Sequence, residues 1–134
     1  MGWGIAVEKI LIVDDDIDFC EATKLVLESK AYKISLAYDG KEGLKKVRSE
    51  RPDLVILDVM MPGMNGYDVC VVMKADPELS MIPVILLTAV DQKMFRTSFT
   101  KEMGLMTEAD DYIAKPVEPA ELVERVEALL ESGE

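Results

Sequence analysis

Asp14, Asp15, Asp58, Thr88 and Lys115 are the side chains here with the types and spacing for joint chemistry, because each sits at the end of an apolar run. Asp14 and Asp15 follow Ile10-Leu11-Ile12-Val13, and Asp58 follows Leu54-Val55-Ile56-Leu57. Thr88 follows Val84-Ile85-Leu86-Leu87, and Lys115 follows Tyr112-Ile113-Ala114 and precedes Pro116. In an open parallel sheet the carboxyl ends of the strands form the ligand crevice. If each run is a strand of one sheet, carboxylates, a hydroxyl and an ammonium meet in one pocket, which suits a hard divalent cation and a phosphoryl group.

Taken singly, each residue has a plainer role. Asp14 or Asp15 caps a helix, Asp58 enters the turn at Pro62-Gly63, Thr88 satisfies a strand-end backbone group, and Lys115 is a solvated lysine. The coincidence at one sheet edge argues otherwise. Adjacent carboxylates at a buried strand end repel and raise the cost of ionisation, and a bound cation offsets that cost. Magnesium takes oxygen ligands in octahedral geometry and keeps several waters. Asp15, Asp58 and the carbonyl of Met60 are read as direct ligands, with Asp14 acting directly or through water.

The elements needed to hold these residues follow from the pattern. Strands are expected at 9–13, 33–37, 54–57, 83–88 and 111–114. Between them lie helical segments: Asp16 to Ser29, a stretch with Gly43, Leu44 and Val47 ending before Pro52, Tyr67 to Ala75, and most of 91–109. A last helix runs from Pro119 to about Ser132, burying Leu122, Val126, Leu129 and Leu130. Asp16 or Asp18 caps the first helix, whose apolar face carries Phe19, Ala22, Thr23, Val26 and Leu27. The segment 33–37 alternates with polar residues, as an edge strand does. Apolar strands joined by helical crossovers give an α/β fold: a doubly wound, five-stranded parallel sheet with helices on both faces.

Composition narrows the function. The chain has 134 residues, enough for one core, and a net charge of −11. That balance argues against direct nucleic-acid binding and against adhesion to an anionic membrane. With no histidine, Ser-His-Asp and Cys-His catalysis and histidine-based zinc sites are excluded, and any histidine chemistry comes from a partner. Cys20 and Cys70 lack a CxxC partner and read as small core residues in a reducing, cytoplasmic setting. No apolar run reaches membrane-spanning length, and residues 1–8 read as an N-terminal extension without a secretory signal.

One motif reading fails and a second matches in part. Asp14-Asp15-Asp16-x-Asp18 places carboxylates as a calcium loop does, but Phe19 stands where the loop needs Gly and Leu25 where it needs Glu. Asp14-x-Asp16 matches the carboxylates of dehalogenase-type phosphatases, but Ile17-Asp18 replaces their Gly-Thr. A magnesium-dependent phosphatase of that type stays as an alternative, as does a phosphorylation-independent adaptor.

Ordered blocks carry a specific resemblance. Ile10 to Asp16, Pro52-Asp-Leu-Val-Ile-Leu-Asp-Val-Met-Met-Pro-Gly-Met-Asn-Gly66, Pro83 to Ala89 and Ala109-Asp-Asp-Tyr-Ile-Ala-Lys-Pro116 resemble the receiver domain of two-component response regulators, over residues 9–132 with no output domain. The resemblance implies a flavodoxin-like strand order 2-1-3-4-5 and a cis bond before Pro116. It implies Asp58 as phosphoacceptor, Asp14 and Asp15 as the Mg2+ pair, Lys115 as the phosphate-pairing lysine, Thr88 as switch hydroxyl and Tyr112 as aromatic switch. The implied phosphodonor is a phosphohistidine on a sensor histidine kinase or a histidine phosphotransfer protein. The readout is an altered surface of the 91–109 helix, the fifth strand and the last helix, which controls a downstream protein. The protein is then a switch that assists its own phosphorylation and dephosphorylation, not a turnover enzyme. It is a monomer or a weak, phosphorylation-dependent dimer.

The chain departs from the family pattern in places. Met60 and Val90, at positions that tune hydrolysis of the acyl phosphate in the family, are apolar and cannot orient a water, which implies a long-lived phosphoryl state. The stretch from Thr88 to Lys115 is longer than usual, with Phe95, Phe99, Met103, Leu105 and Met106 in the surplus, and Glu108 replaces the usual Gly. A longer helix burying these residues explains the surplus, and an adaptable partner surface is the sharper alternative.

Overall fold

The computed structural model describes residues 7–89 and 109–132. The elements run β1 (Lys9–Val13), α1 (Ile17–Glu28), β2 (Lys33–Ala37), α2 (Gly40–Glu50), β3 (Leu54–Asp58), α3 (Gly66–Ala75), β4 (Val84–Ala89), β5 (Asp111–Lys115) and α4 (Pro119–Ser132). All strand pairings are parallel, and the strand order is β2-β1-β3-β4-β5. This is the flavodoxin-like α/β order expected from the resemblance. Residues 91–108 of the helix expected over 91–109, with Val90, lie outside the described residues, so α4 here is the C-terminal helix.

Strand side chains divide by parity between two cores. Leu11, Val13, Val55, Leu57, Val84 and Leu86 pack with Val47, Val69, Cys70 and Met73 from α2 and α3. Ile10, Ile12, Leu54, Ile56, Ile85 and Leu87 pack with Cys20, Leu27, Leu122, Val123 and Val126 from α1 and α4. Burial on both faces explains why the central strands are continuously apolar. β2, the polar-alternating strand, is at the sheet edge.

Local chemistry sets the helix starts beside the carboxyl edge. Asp16, with extended backbone, caps α1 by accepting from the Phe19 N–H at 3.1 Å. Asp39 caps α2 by accepting from Glu42 N–H at 2.7 Å. Asn65 and Asp68 form a reciprocal capping box on α3. On α2, a side chain at Gly43 would press against both methyls of Val13 at 2.8 Å, so the glycine lets this helix lie directly on β1. Both cysteines are buried, as their helical positions imply. Among the described residues, no helix is long and apolar enough to cross a membrane.

Candidate functional site

β1, β3 and β5 deliver their last residues to one edge. β1 and β3 are neighbours, and β4 lies between β3 and β5. Asp14 is wholly buried and held from several directions. Its backbone N–H donates to the Ala37 carbonyl at 3.0 Å, and its carbonyl accepts from the Cys20 thiol at 3.3 Å. Its carboxylate accepts from the Asp16 N–H at 2.9 Å and from Lys115 Nζ at 2.6 Å. Asp15, the next residue, is exposed.

Asp58 ends β3 with 4 % of its surface exposed. Its Oδ1 accepts from the Met60 N–H at 3.2 Å, and its Oδ2 stands 3.9 Å from Lys115 Nζ. Gly66, at the start of α3, lies against the Asp58 carbonyl oxygen, where any side chain would collide. Burial first, then the Asp14 charge, lifts the Asp58 carboxyl to about 7, against the opposing pull of Lys115 and the Met60 N–H. Burial, followed by Asp14 and Asp16, pushes the Cys20 thiol up to about 12, so it stays a protonated donor beneath the site.

One carboxylate oxygen from each of Asp14, Asp15 and Asp58 lies within 4.8 Å of the others. An all-oxygen set of this kind, with one carboxyl destabilised by its neighbour, fits a hard divalent cation. Lys115 has a second neighbour, the Phe19 ring, whose centroid is 4.5 Å from Nζ. The Lys115-Pro116 bond is cis.

The structure therefore brings together Asp14, Asp15, Asp58, Lys115 and the Met60 backbone. Thr88 stands half-buried near the end of β4, in register with Ala114, one residue past the Leu87 that pairs with Asp58. Tyr112 stands at the level of Leu86, three residues before Lys115, and is 40 % exposed. The Met60 side chain is 49 % exposed at the rim of the pocket. Sequence reasoning missed Phe19 and Gly66 as site neighbours. Phe19 was legible only as a helix-face residue, while Gly66, directly after a capping Asn in the loop from Asp58, carried a usable signal.

Comparison with known proteins decides the family. A family described as "Response regulator receiver domain" matches residues 10–127. The chain belongs to the response regulator receiver domain family. The DNA-binding response regulator MtrA of Mycolicibacterium smegmatis is 43 % identical over 127 residues, covering 95 % of this chain and 52 % of that protein. The alkaline phosphatase synthesis transcriptional regulatory protein PhoP of Bacillus subtilis is 40 % identical, covering 95 % of this chain and 50 % of that protein. The chain thus spans about half the length of these curated relatives. Among solved structures, the signal receiver domain of a histidine kinase from Syntrophus aciditrophicus superposes with a TM-score of 0.85 at 36 % identity, covering 94 % of this chain and 92 % of that one. A CheY-like receiver domain from Methanospirillum hungatei gives 0.83 at 30 % identity, covering 96 % and 97 %. The receiver is a signalling switch of two-component systems, and MtrA and PhoP carry the names of regulators. The expectation of no nucleic-acid contact gains no support from a relative named as DNA-binding.

Proposed function

We propose that this receiver accepts a phosphoryl group on Asp58 from a phosphohistidine of a sensor histidine kinase or histidine phosphotransfer protein, and that the modified form acts on a downstream partner. The carrying observation is the buried Asp58 carboxylate lying among Asp14, Asp15 and Lys115. Asp58 attacks phosphorus, the P–N bond breaks as the P–O bond forms, and the leaving imidazole takes up a proton. Lys115, 3.9 Å from Asp58 Oδ2, is placed to balance charge on the transferring group. The Met60 N–H orients the attacking carboxylate by holding Oδ1. Asp14, Asp15, Asp58 and the Met60 carbonyl would hold Mg2+, which supplies electrostatic stabilisation of phosphoryl transfer.

In this reading Thr88 donates to the new phosphoryl group and Tyr112 responds to the move of Thr88, altering the surface around β5 and α4. That is a shift between two packings of one fold. The unit performing this spans residues 9–132, and a reducing cytoplasm suits two cysteines without a CxxC partner. The downstream step, including any contact with DNA, belongs to whatever this unit controls. The −11 charge disfavours a nucleic-acid surface on the receiver itself.

Acetyl phosphate with Mg2+ tests the reading directly. One phosphoryl group is expected per chain, mapped to Asp58 and absent from Asp58→Ala. Labelling elsewhere, or none, overturns it. The dehalogenase-type alternative is disfavoured because the Asp16 carboxylate is engaged in capping α1. The adaptor alternative predicts a partner interaction that survives Asp58→Ala.

A further inference from the structure

We propose that Phe19 is a positioning residue for Lys115, holding its ammonium between the carboxylates of Asp14 and Asp58. The kinetic consequence rests on the phosphotransfer reading above, but the contact itself does not.

A lysine side chain is a point charge on a flexible four-carbon stem. Unless restrained, an ammonium at a pocket mouth samples solvent. Lys115 is restrained in two ways. Asp14 Oδ2 takes one hydrogen bond at 2.6 Å, and the Phe19 ring lies with its centroid 4.5 Å from Nζ. A ring face attracts a cation through its quadrupole. It does so without adding negative charge to a cluster that already holds the carboxylates of Asp14, Asp15 and Asp58. A carboxylate in place of Phe19 would compete with Asp58 for the lysine, and an aliphatic residue would offer the ammonium nothing.

The placement of Phe19 is tied to the site on both sides. Its N–H donates to Asp16, the cap that follows directly on Asp14 and Asp15. Its side chain also lines an apolar cavity of about 170 Å3, shared with Val26, Leu27, Leu122 and Val117. Val117 lies two residues beyond Lys115, so the cavity borders both partners of the contact. That space allows the ring to shift as the ammonium turns from Asp14 toward a phosphoryl group on Asp58, so the ring guides the lysine without locking it.

Ringless and ring-retaining variants separate this role from packing. In the unphosphorylated protein, Lys115 side-chain resonances are expected to carry a ring-current shift that Phe19→Tyr retains. Phe19→Leu and Phe19→Met should both lose it; the second keeps bulk on a flexible stem should the first fail to fold. With acetyl phosphate and Mg2+, the ringless variants should lower the maximal labelling rate of Asp58 roughly three- to tenfold, with little change in the half-saturating acetyl phosphate concentration. Phe19→Tyr should restore it. Unchanged Lys115 resonances in both ringless variants overturn the proposal, as does equal slowing by Phe19→Tyr. If wild type is not labelled at Asp58, the phosphotransfer reading fails, while the resonance comparison still decides whether Phe19 holds Lys115.

Discussion

Lys115 is hydrogen-bonded to Asp14, at 2.6 Å, although the carboxylate it is expected to serve is Asp58, 3.9 Å away. The resting lysine thus neutralises the wholly buried carboxylate and leaves the reactive one under-compensated. Together with burial, the larger cause, this division accounts for the raised proton affinity of Asp58 with an ammonium nearby. It also gives Lys115 a second position to occupy once charge accumulates on Asp58.

Removing that ammonium should expose the cost of burying Asp14. Lys115→Met is expected to destabilise the metal-free protein by about 1–3 kcal/mol, less than a fully enclosed pair because the lysine is partly solvated. Added Mg2+ should recover part of the loss, since it supplies the missing positive charge. Urea unfolding in chelator and then in Mg2+ reads both effects. A variant as stable as wild type in chelator would show that Asp14 does not depend on Lys115.

The Asp58 carboxyl gives a pH dependence of definite sign. Its folded value of about 7 lies above the ordinary 3.8, so the folded protein holds a proton that the unfolded chain has released. The associated stability is fully present below the ordinary value and is lost as pH rises through the window up to about 7. Without metal, unfolding free energy relative to Asp58→Asn should therefore fall between about pH 4 and about pH 7. Saturating Mg2+ should suppress the difference by favouring the ionised carboxylate. Comparing the two proteins in chelator isolates this group from other titrations. A wild type that gains stability over Asp58→Asn across that window would reverse the sign and refute the account.

Strand ends were legible because burial on both faces makes a central strand continuously apolar, and a charge after such a run marks the edge. Asp14 and Asp58 were found this way, whereas Lys115 ends the partly buried edge strand β5 and was marked by the Lys-Pro pair after Tyr112-Ile113-Ala114; the structure joins all three. Helix starts were legible where capping chemistry is local: of the two candidates Asp16 and Asp18, Asp16 caps α1. The start of α3 lay one residue earlier than expected, at Gly66, because the Asn65 capping box decides it, not the apolar pattern. Which aspartate Lys115 prefers was not legible. Asp14 and Asp15 are identical in type, and only the wholly buried depth of Asp14 separates them. The Phe19 contact was hidden for a related reason, since an aromatic on a helix face reads as core wherever the cation above it comes from a strand far away in sequence.

Gly66 is required by the Asp58 backbone. A methyl group at this position would strike the Asp58 carbonyl oxygen and crowd the Leu57 side chain at 3.2 Å. Gly66→Ala should cost about 1–3 kcal/mol in urea unfolding, since backbone atoms cannot yield as a flexible side chain does. It should also weaken Mg2+ binding measured by calorimetry, because the β3 end carrying Asp58 must shift. The same substitution at exposed Gly63, where no atom lies near the added carbon, provides a contrast in which backbone strain at φ +73° acts without a collision. Equal Mg2+ affinity in Gly66→Ala and wild type would show that the Asp58 carboxylate is positioned independently of this approach.

Met60 bears on how long a phosphoryl group would persist. Its N–H anchors Asp58 Oδ1 while its half-exposed side chain stands at the pocket rim. Hydrolysis of an acyl phosphate there needs a water held in line with phosphorus, and a thioether has no strong donor or acceptor to hold one. Met60→Asn introduces an amide able to orient that water while leaving the backbone contact in place. Decay of labelled protein should accelerate by roughly tenfold, an effect of orientation on one step. The rate of labelling by acetyl phosphate should change little. If wild-type label decays rapidly and Met60→Asn decays no faster, the side chain at this rim does not control access of water, and a long-lived phosphoryl state is not a property of this receiver.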